Sequence, residues 1–396
     1  MAVEVSRGDA IAFRLHAQHL SERSDEDGLL DAAGACAVQN SPPGSALLAL
    51  HARVRNMTRE RMDEAVAEDK SLLQSWCMRG APFYFPTADT PVFTTGALPP
   101  TEEAMRQFIV GVAPAVDKLG LTLTQVVALT GAEIRDVLTG RRLAIDELGT
   151  ELCERIAGHL QKEQREVWQQ EGPYAAGQPL GAAVVHFCLR ILTLQGLVCL
   201  TPREGNKAPF ALVAEWLGTP IPDTDPQAAR AELLRRYLHC YGPSTRADFA
   251  AWLGVRAGDA RAWWRLVEPE MTQVDFNGRA WILTDDLDAL RSPPTPKGVR
   301  LLPPHDPYTQ ARDRETIVGS GYRREVWRPI GAPGTVLVEG EIGGIWRARK
   351  QARKLRIDIK TFDSPANRNR DRLQAEAEQI ATLRGASSVD VGFDTY

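Results

Sequence analysis

The residues best placed to do chemistry lie at 36–44, which reads Cys-Ala-Val-Gln-Asn-Ser-Pro-Pro-Gly. Gln39 carries an amide and Ser41 a hydroxyl. On an extended segment residues two apart share a face, whereas on a helix they point roughly 200° apart. Because each proline disfavours helical dihedrals in the residue before it, Gln39 and Ser41 are predicted to face one cavity at a helix exit. The alternative is a polar turn between helices, which the pattern alone favours.

A second polar cluster lies at 305–308 and reads His-Asp-Pro-Tyr. It fits either a catalytic loop or a turn in which Asp306 hydrogen-bonds the backbone, and the turn is the favoured interpretation. His16 and His19 are the histidines close in sequence, and they do not form a recognised metal-ligand pattern. Phosphate-loop, dinucleotide, hydrolase and zinc-protease motifs are absent where they would function. We therefore expect no metal and no cofactor.

The strongest indication of nucleic-acid binding is a basic stretch at 347–356, which is predicted to lie on a hairpin. From position 299 to position 372 the chain has 16 Lys and Arg against 9 Asp and Glu, a local balance of +7 in a chain of net charge −4. Such a stretch can neutralise several phosphates, which makes binding fall steeply with salt. The alternative is a solvated basic strand edge that prevents sheet aggregation. Its cations are Arg347, Arg349, Lys350, Arg353, Lys354 and Arg356.

Three segments that surround these residues share one order of elements, with helices followed by a two-stranded hairpin. They lie near 45–95, 122–213 and 228–284, and this order is typical of a winged helix-turn-helix. The Asn277-Gly278 pair in the third segment is a strong two-residue hairpin signal. The helices predicted around the first hairpin cover 25–38, 45–55 and 70–78. In that hairpin an extended stretch at 79–85 is predicted to pair with Val92-Phe93.

A β-rich region follows at 298–396. Strands are predicted at 299–302, 335–338 and 341–346, and alternating apolar residues predict another at 355–362. A closing helix is predicted at 370–384.

The composition is that of an ordinary soluble protein with 396 residues, 43% hydrophobic and 25% charged, which is enough for two to four domains. Six cysteines without a Cys-x-x-Cys pair are typical of buried residues in a reducing compartment. No apolar signal region opens the sequence, and no run reaches transmembrane length. We therefore expect a cytoplasmic protein that does not contact a membrane.

Taken together, short motifs in this chain resemble those of the winged-helix DNA glycosylase family of the AlkZ/YcaQ type, over nearly the whole length. The motifs are Val-Gln-Asn-Ser-Pro-Pro at 38–43 with Ala-Leu-His-Ala-Arg-Val at 49–54, Trp-Cys-Met-Arg-Gly at 76–80, Tyr-Gly-Pro-Ser-Thr at 241–245 with Asp-Phe-Ala-Ala-Trp-Leu-Gly at 248–254, Leu-Leu-Pro at 301–303 with Asp-Pro-Tyr at 306–308, and Gly-Gly-Ile-Trp-Arg at 343–347.

The resemblance implies three tandem winged helices that cradle DNA, and the removal of bulky N7-alkylated purines, including interstrand crosslinks. In the family a Gln-x-Gln or Gln-x-Asp motif holds the water that attacks the sugar C1′. This reaction needs a positioned nucleophile and stabilisation of a cationic sugar, and two facing side-chain carbonyls can provide both. Gln39 matches the first position, Ser41 stands at the second, and Phe83 stands where the family has His.

These observations predict a mainly α protein with small β wings, an α+β fold of three tandem winged helix-turn-helix units and a β-rich C-terminal region. The predicted units are winged helix 1 at 1–100 with the Gln39 motif, winged helix 2 at 101–218, winged helix 3 at 226–290 and the β-rich region at 298–396.

The predicted function is duplex DNA binding with glycosylase activity on bulky or crosslinked N7-alkylated purines, by a monomer. The alternative is a non-catalytic DNA-binding protein, such as a transcriptional regulator or a lesion sensor. The predicted catalytic residues are Gln39 and Ser41. The predicted DNA contacts are Arg347, Arg349, Lys350, Arg353, Lys354 and Arg79.

Overall fold

The computed structural model describes residues 3–362 and 368–395. Internal contacts divide the chain into two compact units. The first unit comprises Met1–Glu64, Leu234–Trp252 and Val267–Tyr396, and the second comprises Ala65–Leu233 and Leu253–Leu266. The four-part division expected from the sequence stays a prediction.

Helices are distributed along the described chain, and several begin at side chains that cap them. Thr58, for example, accepts a hydrogen bond from the Arg61 backbone N–H at 3.2 Å. In chain order the helices are α1 Arg7–Ala17, α2 Leu29–Gly34, α3 Ser45–His51, α4 Arg59–Asp63, α5 Thr90–Phe93, α6 Glu102–Phe108, α7 Ala113–Lys118, α8 Leu123–Leu138, α9 Ile145–Ala157, α10 Lys162–Gln169, α11 Leu180–Leu194, α12 Val213–Leu217, α13 Pro226–Tyr241, α14 Arg246–Leu253, α15 Arg261–Val267, α16 Leu287–Arg291, α17 Arg314–Ile317, α18 Arg323–Val326 and α19 Arg370–Leu383.

The strands make the fold a mixed α+β one. They are β1 Val3–Glu4, β2 Val38–Gln39, β3 Leu72–Trp76, β4 Pro82–Pro86, β5 Val198–Leu200, β6 Phe210–Leu212, β7 Met271–Asp275, β8 Arg279–Leu283, β9 Val299–Leu302, β10 Gly334–Val338, β11 Glu341–Gln351, β12 Lys354–Thr361 and β13 Ser388–Thr395.

The second unit contains a sheet in which β3 lies between β4 and β5, with β6 beside β5. The predicted hairpin of β5 and β6 is confirmed, but the predicted helix at 70–78 is wrong, because Leu72–Trp76 is a strand. Four of its five residues are buried, and a strand buried on both faces lacks the alternation that separates it from a helix. The predicted pairing of Val92-Phe93 is also wrong, since these residues lie in α5 and β4 pairs with β3.

The first unit contains two sheets. In the smaller one β7 and β8 form the predicted Asn-Gly hairpin, and β1 adds to β7 in parallel. The two strands and α1 enclose a small core. The members of that core are Ala10, Phe13, Val274, Phe276, Ala280, Ile282 and Leu290.

The larger sheet of the first unit has the order β13-β12-β11-β10-β9. Strands β9 to β12 confirm the four predicted strands, and α19 confirms the predicted closing helix to within a residue. The helix does not end the chain, however, because β13 follows it and pairs with β12 in parallel. A parallel pair needs a crossover connection, and α19 lies in that connection.

The described residues include no helix that is long and apolar enough to cross a membrane.

A buried ion pair connects the residues just after α3 to the segment after β9. The Arg53 guanidinium donates two hydrogen bonds of 2.8 Å to the Asp306 carboxylate, and these side chains are only 1% and 0% exposed. Asp306 also accepts from the Tyr308 backbone N–H at 2.9 Å. The turn interpretation of 305–308 is therefore confirmed, since the Asp306 carboxylate is occupied by structural hydrogen bonds.

A buried histidine lies close to that ion pair in the sequence. His51 is 7% exposed, and its Nε2 lies 3.9 Å from a Glu376 carboxylate oxygen that Arg23 also contacts. Burial, with a smaller contribution from the charges of Arg23 and Arg300, lowers the pKa of His51 to about 3. The imidazole is therefore neutral in the folded protein at every pH above that value.

We expect His51 to make the protein less stable as the pH falls from about 6.5 towards 3. An unfolded histidine binds a proton below about pH 6.5, whereas the folded one does not until the pH approaches 3. The contribution of His51 to the free energy of unfolding is complete above pH 6.5 and falls by about 1.4 kcal/mol for each pH unit below it. Urea unfolding of wild type and His51→Gln between pH 7 and 4.5 should show the smaller loss in the variant. His16→Gln, which replaces an exposed histidine, is the control, and equal slopes for wild type and His51→Gln would contradict the expectation.

Candidate active site and DNA-binding surface

Gln39 lies on a short strand instead of directly at a helix exit. The predicted helix at 25–38 is too long, since α2 ends at Gly34. The Arg236 guanidinium donates to the Gly34 carbonyl at 2.8 Å, and Ala37 adopts a left-handed φ of 58°. A residue with this φ cannot continue a helix. The chain then enters β2, so that Gln39 is held in extended backbone.

Asn40, which the sequence did not single out, closes the loop around the two prolines. Its side-chain oxygen accepts hydrogen bonds from the backbone N–H groups of Gly44 at 2.8 Å and Ala46 at 3.4 Å. The second of these N–H groups belongs to the first turn of α3, where donors lack partners within the helix. An asparagine ahead of a helix start is a local signal for such a cap. Asn40 thereby joins the end of β2 to the start of α3.

The Gln39 side chain is nearly buried and is not used by the fold. Its residue is 8% exposed, and within residues 3–362 and 368–395 its amide and the Ser41 hydroxyl have no hydrogen-bond partner. The Gln39 amide is not among the fully enclosed side-chain atoms that lack partners, so solvent still reaches it. A buried amide normally has partners in the protein. Gln39 is therefore free to hold a water molecule or a substrate.

The end of α13 supports this segment from within the first unit. The Cys240 thiol donates to the Ala35 carbonyl at 3.3 Å. The Tyr241 hydroxyl donates to the Pro307 carbonyl at 2.8 Å. The backbone ahead of Gln39 and the turn that carries Asp306 are thus both anchored to one helix.

The predicted basic hairpin is formed by β11 and β12, and its cations differ in their electrostatic surroundings. Arg356 makes ion pairs with Asp358 at 2.7 Å and with Asp390 at 2.5 Å, so its charge is compensated. Three exposed cations near the tip have no carboxylate partner in the described chain. These cations are Arg349, Arg353 and Lys354.

Strand β11 of the hairpin meets the loop that follows Ser41. Arg347 and Lys350 line a cavity of about 420 Å³, and Pro42, Pro43 and Gly44 form part of its wall. The structure therefore brings together two stretches that the sequence predicted separately. Arg59 and Arg384 line the same cavity, and no local pattern in the sequence indicated either of them.

Arg79, the remaining predicted DNA contact, lies in the second unit. It has a left-handed φ of 57° in the turn between β3 and β4, and its guanidinium lies over the Phe83 ring at 5.9 Å. Gly254 packs against it so closely that a Cβ there would lie 2.9 Å from the Arg79 Cγ. Arg79 thus has a packing role, and its contact with DNA stays a prediction.

The described residues contain no group of three or more His, Cys, Asp or Glu side chains that could hold a metal ion.

Comparison with known proteins places the whole chain in one family. The sequence profile described as "DNA glycosylase AlkZ-like" matches residues 32–383. The chain is 26% identical to the "Interstrand DNA cross-link repair glycosylase" of Streptomyces sahachiroi, over 98% of this chain and 99% of that one. It is also similar to the solved structure "Streptomyces sahachiroi DNA glycosylase AlkZ", with a TM-score of 0.75 and 25% identity over 99% of this chain and 100% of that one. The chain therefore belongs to the AlkZ-like DNA glycosylase family.

Proposed function

We propose that this protein is a monofunctional DNA glycosylase that removes bulky or crosslinked N7-alkylated purines from duplex DNA. The observation that carries the proposal is the Gln39 amide, which is nearly buried, belongs to the short strand β2 and has no hydrogen-bond partner in the described chain. A relative that matches along its whole length is named as an interstrand cross-link repair glycosylase, which supports the substrate class.

In the proposed reaction the Gln39 side-chain oxygen accepts a hydrogen bond from a water molecule and aims it at the sugar C1′. The water oxygen forms a bond to C1′ as the bond from C1′ to the purine N9 breaks, and its proton passes to solvent. An N7-alkylated purine is already cationic, so the departing electron pair neutralises the base and no general acid is needed. The carbonyl dipole of Gln39 also stabilises the positive charge that develops on the sugar. The Ser41 hydroxyl supplies a second, shorter acceptor for the same water.

The hairpin of β11 and β12 is proposed to bind the phosphate backbone. Its tip carries exposed cations that no carboxylate of the described chain neutralises, whereas Arg356 is excluded because two aspartates compensate it. Free cations of this kind attract duplex DNA without reading its sequence. We propose three winged helices as the scaffold, because the β5–β6 and β7–β8 hairpins follow helices. The protein is proposed to act as a monomer.

A non-catalytic DNA-binding protein is the second candidate, and Ser41 is the observation that favours it. Serine has no carbonyl or carboxylate, and its reach is shorter than that of glutamine by roughly two bonds. A lesion sensor on this scaffold would bind alkylated DNA and leave the glycosidic bond intact. Abasic-site formation on a duplex with one defined N7-alkylguanine separates the two candidates.

Replacing Gln39 by alanine should abolish most excision and leave DNA binding nearly unchanged. Gln39 acts on water and not on phosphate, and the loss of one positioned polar group typically costs about 10² to 10³ in rate. Single-turnover excision and equilibrium binding should be measured on the same alkylated duplex. Arg291→Gln, an exposed change away from the site, is the control. Strong excision by Gln39→Ala would place the chemistry elsewhere.

Replacing Ser41 by glutamine should raise the excision rate, because it adds a second carbonyl beside Gln39. The loop is closed by Asn40 and not by Ser41, so the change leaves its hydrogen bonds in place. Ser41→Ala is the matched control and should not gain activity. A rate for Ser41→Gln at or below that of wild type would show that the second carbonyl does not contribute here.

Neutralising four hairpin cations should weaken duplex binding and reduce its dependence on salt. The logarithmic salt slope should decrease by about one for each phosphate that the variant no longer neutralises. The variant changes Arg347, Arg349, Arg353 and Lys354 together, and affinity is measured from about 50 to 200 mM salt. Arg356→Gln serves as the control, since its charge is already compensated. An unchanged slope in the quadruple variant would mean that another surface binds the backbone.

A further inference from the structure

The cavity between the Pro42–Gly44 loop and β11 has an unbalanced charge. Its lining includes Arg59, Arg347, Lys350 and Arg384, and none of the described residues that line it is acidic. Its volume of about 420 Å³ lies in the range of small-ligand sites, roughly 300–1,000 Å³. Four cations around one space repel one another unless an anion joins them.

Backbone carbonyls hold three of these cations in place. Arg59 donates to the Leu383 carbonyl at 3.0 Å, Lys350 to the Arg384 carbonyl at 3.2 Å, and Arg347 to the Gly331 carbonyl at 2.8 Å. The first two carbonyls belong to the C-terminal end of α19, which carries roughly half a negative charge. Half a charge does not balance four, so most of the positive charge in the cavity remains uncompensated.

The nearest acidic candidate on the hairpin is already occupied. Asp358 lies directly opposite Arg347 in the register of β11 and β12, but its carboxylate binds Arg356 at 2.7 Å. The fourth cation, Arg384, lies over the Trp346 ring at 5.7 Å, and burial lowers its pKa. An arginine stays charged even so. A planar guanidinium that is desolvated and fixed in this way is well suited to bind a phosphate.

We propose that this cavity is a phosphate-binding site, and that its occupant is a backbone phosphate of the DNA strand that carries the lesion. Pro42 is three residues after Gln39, so the cavity wall lies within about 11 Å of Gln39 along the chain. Phosphates of one strand are spaced by about 3.4 Å along the duplex axis, so a span of about 11 Å corresponds to about three nucleotides. The proposal rests on the assignment of Gln39 as the catalytic residue. Arg59 and Arg384 are the residues that it adds to the DNA contacts.

The test uses a duplex with one N7-alkylguanine and a set of duplexes in which a neutral methylphosphonate replaces one phosphate at a time. Wild type should bind about 10- to 100-fold more weakly when the methylphosphonate occupies the contacted position, because a charge-assisted hydrogen bond is removed. The double variant Arg59→Gln/Arg384→Gln should bind the unmodified duplex more weakly than wild type by a similar factor. Its affinity should no longer change when the methylphosphonate occupies the contacted position, and should still change as in wild type when it occupies any other position. If the double variant keeps the sensitivity of wild type at every position, the proposal is wrong.

Arg291→Gln/Arg324→Gln is the matched control, because it removes the same charge from exposed positions outside the cavity. It should retain the sensitivity of wild type. Thermal unfolding checks that the variants fold, and if Arg59→Gln/Arg384→Gln does not, Arg347→Gln/Lys350→Gln is measured in the same way.

Thermal unfolding in inorganic phosphate, without DNA, tests whether the natural occupant of the cavity is a free phosphate ion or a DNA backbone phosphate. At constant ionic strength inorganic phosphate should not raise the Tm of wild type more than that of the double variant. A rise confined to wild type, together with binding that no methylphosphonate weakens, would identify free phosphate as the occupant and overturn the DNA assignment. Excision that survives Gln39→Ala would refute the proposed catalytic role of Gln39. The methylphosphonate binding measurements would still show whether the cavity binds a backbone phosphate.

Discussion

The buried ion pair between Arg53 and Asp306 is the constraint on which the first unit depends. It joins residues that are 253 positions apart and is almost wholly excluded from water. Removing one partner from such a pair usually costs about 3–5 kcal/mol, because a charge is left buried without compensation. Both sides of the pair lead to the candidate site, since α3 follows the Gln39 loop and the Asp306 turn is tied to Tyr241 of α13. A rigid support of this kind is what a side chain that positions water requires.

The cations of the C-terminal region differ in the groups that they contact. The net balance of +7 from the sequence does not reveal this difference. Arg356 is compensated by carboxylates, whereas Arg347 and Lys350, which line the cavity, donate to backbone carbonyls. Carboxylates neutralise a cation, whereas neutral carbonyls fix its position and leave most of its charge available. The sequence identified the basic stretch, but the structure is needed to separate its structural members from those that can bind an anion.

Local patterns predicted the elements whose signals are local. The alternation of Leu355, Ile357 and Ile359 marked β12, which has one buried face, and Asn277-Gly278 marked the hairpin of β7 and β8. Strand β3 was mistaken for a helix because both of its faces are buried and no alternation remains. At the early end of α2 the Gly34 carbonyl accepts a hydrogen bond from Arg236, a contact over 202 positions that no local pattern indicates. In the candidate site, too, some residues can be identified from local sequence and others cannot. Gln39 and Ser41 were identified from nine consecutive residues. Arg59 and Arg384, by contrast, reach the cavity only through tertiary packing. The catalytic role of the first pair and the DNA contacts of the hairpin remain predictions.

The hydrogen bonds of Asn40 have a consequence for how this site can change over time. The middle residue of the Gln-Asn-Ser triplet holds the loop, while the residue after it makes no hydrogen bond that the fold requires in the described chain. Mutational drift at position 41 therefore carries little structural penalty, whereas drift at position 40 is opposed by the loss of a helix cap. The loop thus contains one residue that the hydrogen bonds of the fold constrain and one that they do not. Another polar side chain at position 41 would leave the hydrogen bonds that close the loop in place.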